Sequence, residues 1–263
     1  MIITEPVRSI PRESLRSSLK KKEGLAMIDI HSHLIYGVDD GPPTIKDSIR
    51  MVLEAERMGV KTIIATPHFH KGIFFAENVS EHFEELKSRV KGCGVELLLG
   101  SEVFFNSIVP DVIEFKEKYT LNKSKFLLFE LPFDVMPSNA TDIILNLHMN
   151  NLVPVLAHPE RSRFLCSNFR KFTELIEAGC LIQLDAASIL GVYGRESKRF
   201  AKYLIKANLV HFIASDAHCA SDYNDWYLAA YRKVKKWAGK EYTDSLFYKN
   251  QSMILGIKTN GTL

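Results

Sequence analysis

The chain is short of most features that would sort it at once. Its 263 residues hold four cysteines, at 93, 166, 180 and 219, with no CxxC pair and no framework spacing. That excludes a disulfide scaffold and a thiolate zinc knuckle, and it fits free thiols in a reducing cytoplasm. None of the four has an arginine six residues later, the spacing a thiol phosphatase requires. No apolar run reaches membrane-spanning length, and the N-terminal segment lacks the apolar stretch of a secretory signal. Repeats and low-complexity segments are also missing.

Charge of one sign is scarce too. The formal net charge is only +3. Residues 1–26 hold that whole excess, with six basic residues (Arg8, Arg12, Arg16 and Lys20 to Lys22) against Glu5, Glu13 and Glu23. The rest is balanced, so no basic track for a nucleic-acid backbone is expected. Segment 1–26 is expected to be a flexible extension. Met27 would serve equally as a start. Composition is otherwise ordinary, with 46% hydrophobic and 25% charged residues, a single-domain prospect at this length.

What is present is an alternation. Apolar runs at 28–30, 61–66, 96–99, 126–129, 153–157, 181–184 and 210–214 read as strands. Amphipathic stretches follow them. Thr44 stands as N-cap ahead of Ile45, Ile49 and Val52, and Gly59 ends that helix. Ser80 is the expected cap of the next helix, and Ser138 or Asn139 of a later one. A weaker helical stretch covers 111–118. Phe200, Tyr203, Leu204 and Ala207 keep helical spacing. A last helix is expected at 226–237, then a mixed tail. Seven strand–helix units in series point to an α/β fold with a parallel sheet, open or closed.

The chemistry gathers where these strands stop. His31, His33 and Asp40 follow the first, His68 the second, Glu102 the third and Glu130 the fourth. His158 follows the fifth, Asp216 and His218 the seventh. In a barrel these ends share one face, where barrel active sites lie. Nine nitrogen and oxygen donors exceed the four that one zinc takes. They suit two or three divalent ions of the manganese, iron, zinc or cobalt kind. Such clusters activate water for in-line attack on phosphorus. Arg161, three residues beyond His158, could fork onto phosphate oxygens. Glu160 reads as an orienting group.

Other residues carry a plainer expectation. Asp39 competes with Asp40 as a ligand, with Asp40 preferred. His70 is a weak site candidate. His82 is expected in an exposed helical turn, His148 at a helix end and His211 at the wrong end of its strand. Tyr36, Phe69, Phe74 and Phe75 are either apolar walls of the site or packing residues.

The series His31-Ser-His33 with GVDDG, then ATPH, GSE, a strand-ending Glu130, AHPER and SDAH resembles the polymerase and histidinol phosphatase (PHP) superfamily. Within it, the bacterial tyrosine-phosphatase branch of capsule and exopolysaccharide loci, the CpsB/CapC type, is the nearest likeness. The resemblance runs from Met27 nearly to the C-terminus, so residues 27–263 would form the phosphatase domain. It implies a distorted (β/α)7 TIM-like barrel and a trinuclear cluster, commonly manganese, iron, zinc or magnesium. Ligand roles would fall on His31, His33, Asp40, His68, Glu102, Glu130, His158, Asp216 and His218, and phosphate binding on Arg161. The implied substrate is phosphotyrosine on a bacterial autokinase that controls polysaccharide export. In the expected mechanism a metal, or protonation by Asp216 or His68, would help the phenolate leave. A homo-oligomer is left open.

One departure stands out. The family often carries a second arginine five residues after the final histidine, where this chain has Tyr223. Arg163, Arg195 or Lys71 are the candidate replacements. The rival readings are a small-molecule phosphatase, such as a histidinol-phosphate phosphatase, a non-catalytic kinase-binding barrel and, last, an exonuclease.

Overall fold

The structure, a computed structural model, describes residues 26–74, 76–107 and 110–257. The expected extension therefore falls outside the described residues apart from Ala26, and so does Phe75. Strands run at Met27–Ser32 (β1), Val60–Ala65 (β2), His68–Phe69 (β3), Glu96–Leu99 (β4), Glu102–Phe104 (β5), Phe126–Glu130 (β6), Val153–Ala157 (β7), Leu181–Asp185 (β8) and Phe212–Ala214 (β9). Seven strand positions were expected, and nine segments are seen, because two strands break in mid-course.

The first break is at Thr66-Pro67, where proline has no N–H to give to the ladder. The second is at Gly100-Ser101. They are neighbours: Gly100 N donates to Ala65 O at 2.8 Å and Glu102 N to Pro67 O at 3.1 Å. Gly100 fits there tightly: a Cβ would lie 3.1 Å from Leu121 Cα and make its neighbours give way. The paired breaks divide the parallel strands into a sheet β1-β2-β4 and a sheet β3-β5-β6-β7-β8-β9. Chain order is kept throughout. A parallel bridge between Ser32 and Ala217 joins the two ends of the series. His33 N adds a bond to Ala217 O, and Asp216 N one to His31 O.

Alternation along the strands sorts the core into two bodies. Ile28, Ile30, Ile64, Phe126, Leu128, Val155, Ala157, Phe212 and Ala214 form the inner cluster. Residues of the other parity, such as Ile63, Leu127, Phe129, Leu156 and Ile213, pack with the helices. Glu130 continues the parity of Phe126 and Leu128. The register of β1 shifts between Asp29 and Ser32, a usual place for a bulge beside an active site.

The helix Ile45–Met58 is capped by Thr44, whose side chain accepts from Asp47 N, and stops at Gly59 with φ 97°. The next helix starts earlier than expected, with Asn78 and not Ser80 as its cap residue. Asn139 precedes the helix Ala140–Met149. The stretch expected at 111–118 is two short helices, Pro110–Glu114 and Lys116–Tyr119.

The helix expected at 226–237 begins at Ala220 and passes through a π turn, Tyr223–Tyr227, before Leu228–Ala238. The tail is helical rather than mixed, at Lys240–Asp244, Ser245–Lys249 and Asn250–Ile254. It reaches the start of β9: Asn250 Nδ2 donates to His211 O at 2.7 Å, and Ile254 joins the inner cluster. All four cysteines are free, and no described helix is long and apolar enough to cross a membrane.

Candidate active site

The end of β1 brings two imidazoles together, tilted at 51° to each other. His31 Nε2 and His33 Nε2 are 3.2 Å apart, in full burial. Each ring is held by its other nitrogen. His31 Nδ1 meets Gln183 Oε1 at 2.9 Å, and His33 Nδ1 meets Asp39 Oδ2 at 2.8 Å. Anchoring of this kind orients histidines for metal binding. Asp39 is otherwise spent on backbone, accepting from Gly41 N and His68 N. Gly41 is obligatory, since a Cβ there would lie 2.2 Å from His33 O. Asp40 is the freer acid. Its Oδ1 is 3.3 Å from His218 Nε2 and 3.5 Å from His68 Nε2, and the His218 contact draws it down to about 2.

Glu102 stands at the centre. Its Oε1 pairs with His158 Nε2 at 2.8 Å. Its Oε2 lies 2.9 Å from His68 Nδ1, 3.3 Å from His31 Nε2 and 3.4 Å from His33 Nε2. Despite these neighbours that oxygen is buried without a well-directed hydrogen bond. Asp216 Oδ1 is 3.3 Å from both His31 Nε2 and His33 Nε2, and Glu130 Oε1 is 3.5 Å from His68 Nδ1.

Burial opposes charge on His31, yet Glu102 and Asp216 outweigh it and push the imidazole up to about 9. Glu130 is raised to about 8, first by burial and then by the Glu102 charge. His158 and Asp216 adopt left-handed backbone, with φ 32° and 51°. Such strain in residues other than glycine gathers at functional sites.

Three overlapping groups have ligand atoms within 4.8 Å of one another: His33-Asp40-His68-His218, His31-His33-Glu102 and His68-Glu102-Glu130. His33, His68 and Glu102 each belong to two of them. A carboxylate oxygen facing three imidazoles without a bond of its own is what a shared cation would satisfy. The donor set, imidazole with carboxylate, therefore fits divalent transition metals.

Above the cluster opens a cleft of about 460 Å³. Arg161 Nη1 donates to Asp216 Oδ2 at 2.7 Å. Its guanidinium carbon sits 4.2 Å from the Tyr193 ring centroid and 5.0 Å from that of Phe133. Among the described residues Arg161 is the one Lys or Arg lining the cleft, with Phe74, Phe104 and Trp226 as further walls.

All nine candidate ligands and Arg161 are thus brought together. Several other expectations need correction. Tyr223 does not face the cleft. It is fully buried, its hydroxyl donating to Asp29 Oδ2 at 2.8 Å and lying 3.0 Å from Ser32 Oγ. Arg163 is far too exposed to replace an arginine there and pairs with Asp134 at 2.5 Å; Arg195 and Lys71 do not line the cleft either. His82 is half-buried in its helical turn and structural rather than solvated: its ring stacks on Tyr36 at 4.1 Å and bonds Tyr36 O. Tyr36 and Phe69 are packing residues, the latter against Tyr119. Phe74 does line the cleft, as does His70, stacked on Phe104 at 4.0 Å. His148 bonds Gly179 O, and His211 accepts from Ile182 N.

Sequence reasoning missed Gln183, Asp29, Phe133, Tyr193 and Asp185. The strand at 181–184 seemed to end without a ligand-type group, but Asp185 follows it, buried, 3.9 Å from Arg161. Its backbone amide donates to Glu160 Oε1 at 2.8 Å, so Glu160 does act as an orienting group. Reading that strand one residue further would have found Asp185; nothing local marks the rest.

Parallel strands in chain order, bridged end to end, with imidazoles and carboxylates on their C-terminal face, define a barrel-type α/β protein with a candidate metal centre. The family model described as "Capsular polysaccharide synthesis, CpsB/CapC" matches residues 27–256, and the chain belongs to that family. It is 37% identical over 196 residues to the tyrosine-protein phosphatase YwqE of Bacillus subtilis (strain 168), covering 73% of this chain and 77% of that one. Identity to the tyrosine-protein phosphatase CpsB of Streptococcus agalactiae is 33% over 240 residues, covering 87% and 98%. A solved structure described under "YwqE from Bacillus subtilis and CpsB from Streptococcus pneumoniae, unique metal-dependent tyrosine phosphatases" superposes with a TM-score of 0.80 at 33% identity, covering 88% of this chain and 96% of that one.

Proposed function

We propose that this chain is a metal-dependent phosphomonoesterase that hydrolyses phosphotyrosine on proteins, with a tyrosine autokinase of capsule or exopolysaccharide synthesis as its substrate. The observation that carries the reading is Glu102 Oε2, buried among three imidazoles within 3.4 Å and bonded to none. The names of the relatives and the lone arginine over the cluster support it. His31, His33, Asp40, His68, Glu102, Glu130, His158, Asp216 and His218 would hold two or three divalent ions, manganese foremost, with iron, zinc, magnesium or cobalt as alternatives. Ions held there supply Lewis acidity and an activated water.

The chain's own groups do the rest. Arg161 neutralises charge on the phosphoryl oxygens. Phe133, Tyr193 and Trp226 wall the cleft against water and suit an aryl group. Between the two candidate acids, geometry favours His68. Both Asp216 oxygens are engaged, one by Arg161 and one by His31 and His33. His68 lines the cleft and would be the acid where it holds an ion through Nδ1 alone, which leaves Nε2 to carry the proton. The domain would extend over 27–263, and the free cysteines suit a cytoplasmic setting.

The test is a side-by-side assay on phosphotyrosyl peptides and histidinol phosphate, before and after a strong chelator. Turnover of the peptides that vanishes with chelation and returns with manganese is the expected result. Faster turnover of histidinol phosphate would sink the protein-substrate reading, and activity surviving full metal removal would sink the metal mechanism.

A further inference from the structure

The small net charge hides a concentration. The helix Arg195–Lys206 holds five basic residues against one acidic, and the helix Leu228–Ala238 holds four with none. The two helices pack against each other. Lys198, Lys202 and Lys236 stand near enough to Lys233 to repel its charge. Lys202 Nζ and Lys233 Nζ stand 5.4 Å and 5.8 Å from the Trp237 ring centroid. Among the described residues no carboxylate lies within 4.0 Å of Lys198, Lys202, Lys233 or Lys236. Burial and the crowding of Lys198, Lys202 and Lys236 draw the Lys233 ammonium below its usual value. Like charges left together without counter-charge imply an anionic partner.

The strip starts beside the turn that carries Tyr193, a wall of the cleft. Lys198 Nζ donates to Leu190 O at 3.1 Å, and its stem lies against Gly191. Gly191 and Gly194, both left-handed at φ 95° and 97°, bound the turn that lays Tyr193 over Arg161. From Lys198 to Lys202 is one helical turn, roughly 6 Å. An extended peptide advances about 3.3 Å per residue, so two or three residues of substrate span that turn. Base stacking is disfavoured, since lysines already flank the Trp237 indole.

We infer that this lysine strip docks acidic residues flanking the scissile phosphotyrosine, so that the substrate is an acidic phosphopeptide segment. The inference rests on the proposed function. The same pocket then serves any aryl phosphate, while the strip selects among proteins.

The experiment compares kcat/KM for phosphotyrosyl peptides with Glu/Asp flanks, the same peptides with Lys flanks, and p-nitrophenyl phosphate, which reads the pocket alone. Acidic flanks are expected to be preferred by about tenfold at low salt, less as salt screens the strip. The combined Lys202→Glu, Lys233→Glu and Lys236→Glu variant, which leaves Lys198 and the Tyr193 turn intact, should abolish the preference, with p-nitrophenyl phosphate turnover within about twofold of the parent. The three Lys→Arg changes should preserve it, and Lys→Gln changes should weaken it should charge reversal harm folding. No preference in the parent, or a preference that survives reversal, overturns the inference. If no aryl phosphate is hydrolysed, the proposed function fails instead. Calorimetric titration with an unphosphorylated Glu-rich peptide then still decides the strip, through binding present in the parent and lost on reversal. Anionic vesicles or an oligonucleotide bound through these lysines, with peptide preference unchanged, would overturn it as well.

Discussion

Arg161 and Asp216 share a charge-assisted bond of 2.7 Å, and the other oxygen of that carboxylate faces His31 and His33 at 3.3 Å. One acid therefore ties the anion-binding group to the candidate metal centre. Arg161→Ala should lower kcat/KM on an aryl phosphate by about 10²–10³-fold, the usual loss for one aimed donor. Metal content by elemental analysis should hold. Loss of metal from that variant would make Arg161 a structural residue.

The grip on the guanidinium gives a milder outcome. Tyr193→Leu removes one of two aromatic faces from Arg161, each worth about 0.5–2 kcal/mol. KM for an aryl phosphate should rise several-fold, with kcat and metal content little changed, and Tyr193→Phe should behave as the parent. Equal losses in both Tyr193 variants would point to the hydroxyl instead of the ring.

Metal loading should depend on residues below the ligands. His31→Ala is expected to lose metal outright. Gln183→Ala, which frees His31 Nδ1, should weaken affinity by about 10–100-fold while leaving the ligands in place. Metal titration of the apo-protein measures both, and an unchanged affinity in the Gln183 variant would show that His31 needs no anchor.

Tyr223 is a strut. Tyr223→Phe removes the hydroxyl that serves Asp29 and Ser32, costing about 1–3 kcal/mol in urea unfolding. Tyr223→Arg should cost more, because it drives a cation into a fully buried position. A Tyr223→Arg protein as stable as the parent would mean that the position can open to the cleft.

Acid stability should carry a histidine signature remote from the site. Burial lowers His211 to about 4, whereas the unfolded chain protonates it near 6.5. Its contribution is present above pH 6.5 and is lost as pH falls toward 4, since only the unfolded state takes up the proton. The amount is on the order of 2–3 kcal/mol. His211→Asn should flatten that part of the stability–pH curve relative to the parent, and parallel curves would refute the assignment.

Much of this protein is legible from the chain alone. Apolar runs of strand length, each followed by His, Asp or Glu, need only the rule that parallel strands end on one face. That rule places His31, His68, Glu102, His158 and Asp216 in one site before any coordinate exists. The helix signals at Thr44 and Gly59 are equally local.

Other features depend on what lies far away in sequence. Gln183 sits 152 residues from His31, and Asp29 meets Tyr223 across 194, so no local pattern could pair them. The chain shows a tyrosine where the family often has a second arginine, but only the fold shows that Tyr223 is buried against Asp29 and Ser32. Chain-wide charge could not reveal two helices pooling their lysines, because sums ignore position. The sequence by itself determined the donor set and the strand-end address, since both follow from residue type and period. Which donor is shared, which acid is spent on a backbone, and where the charge collects were decided only by packing in three dimensions.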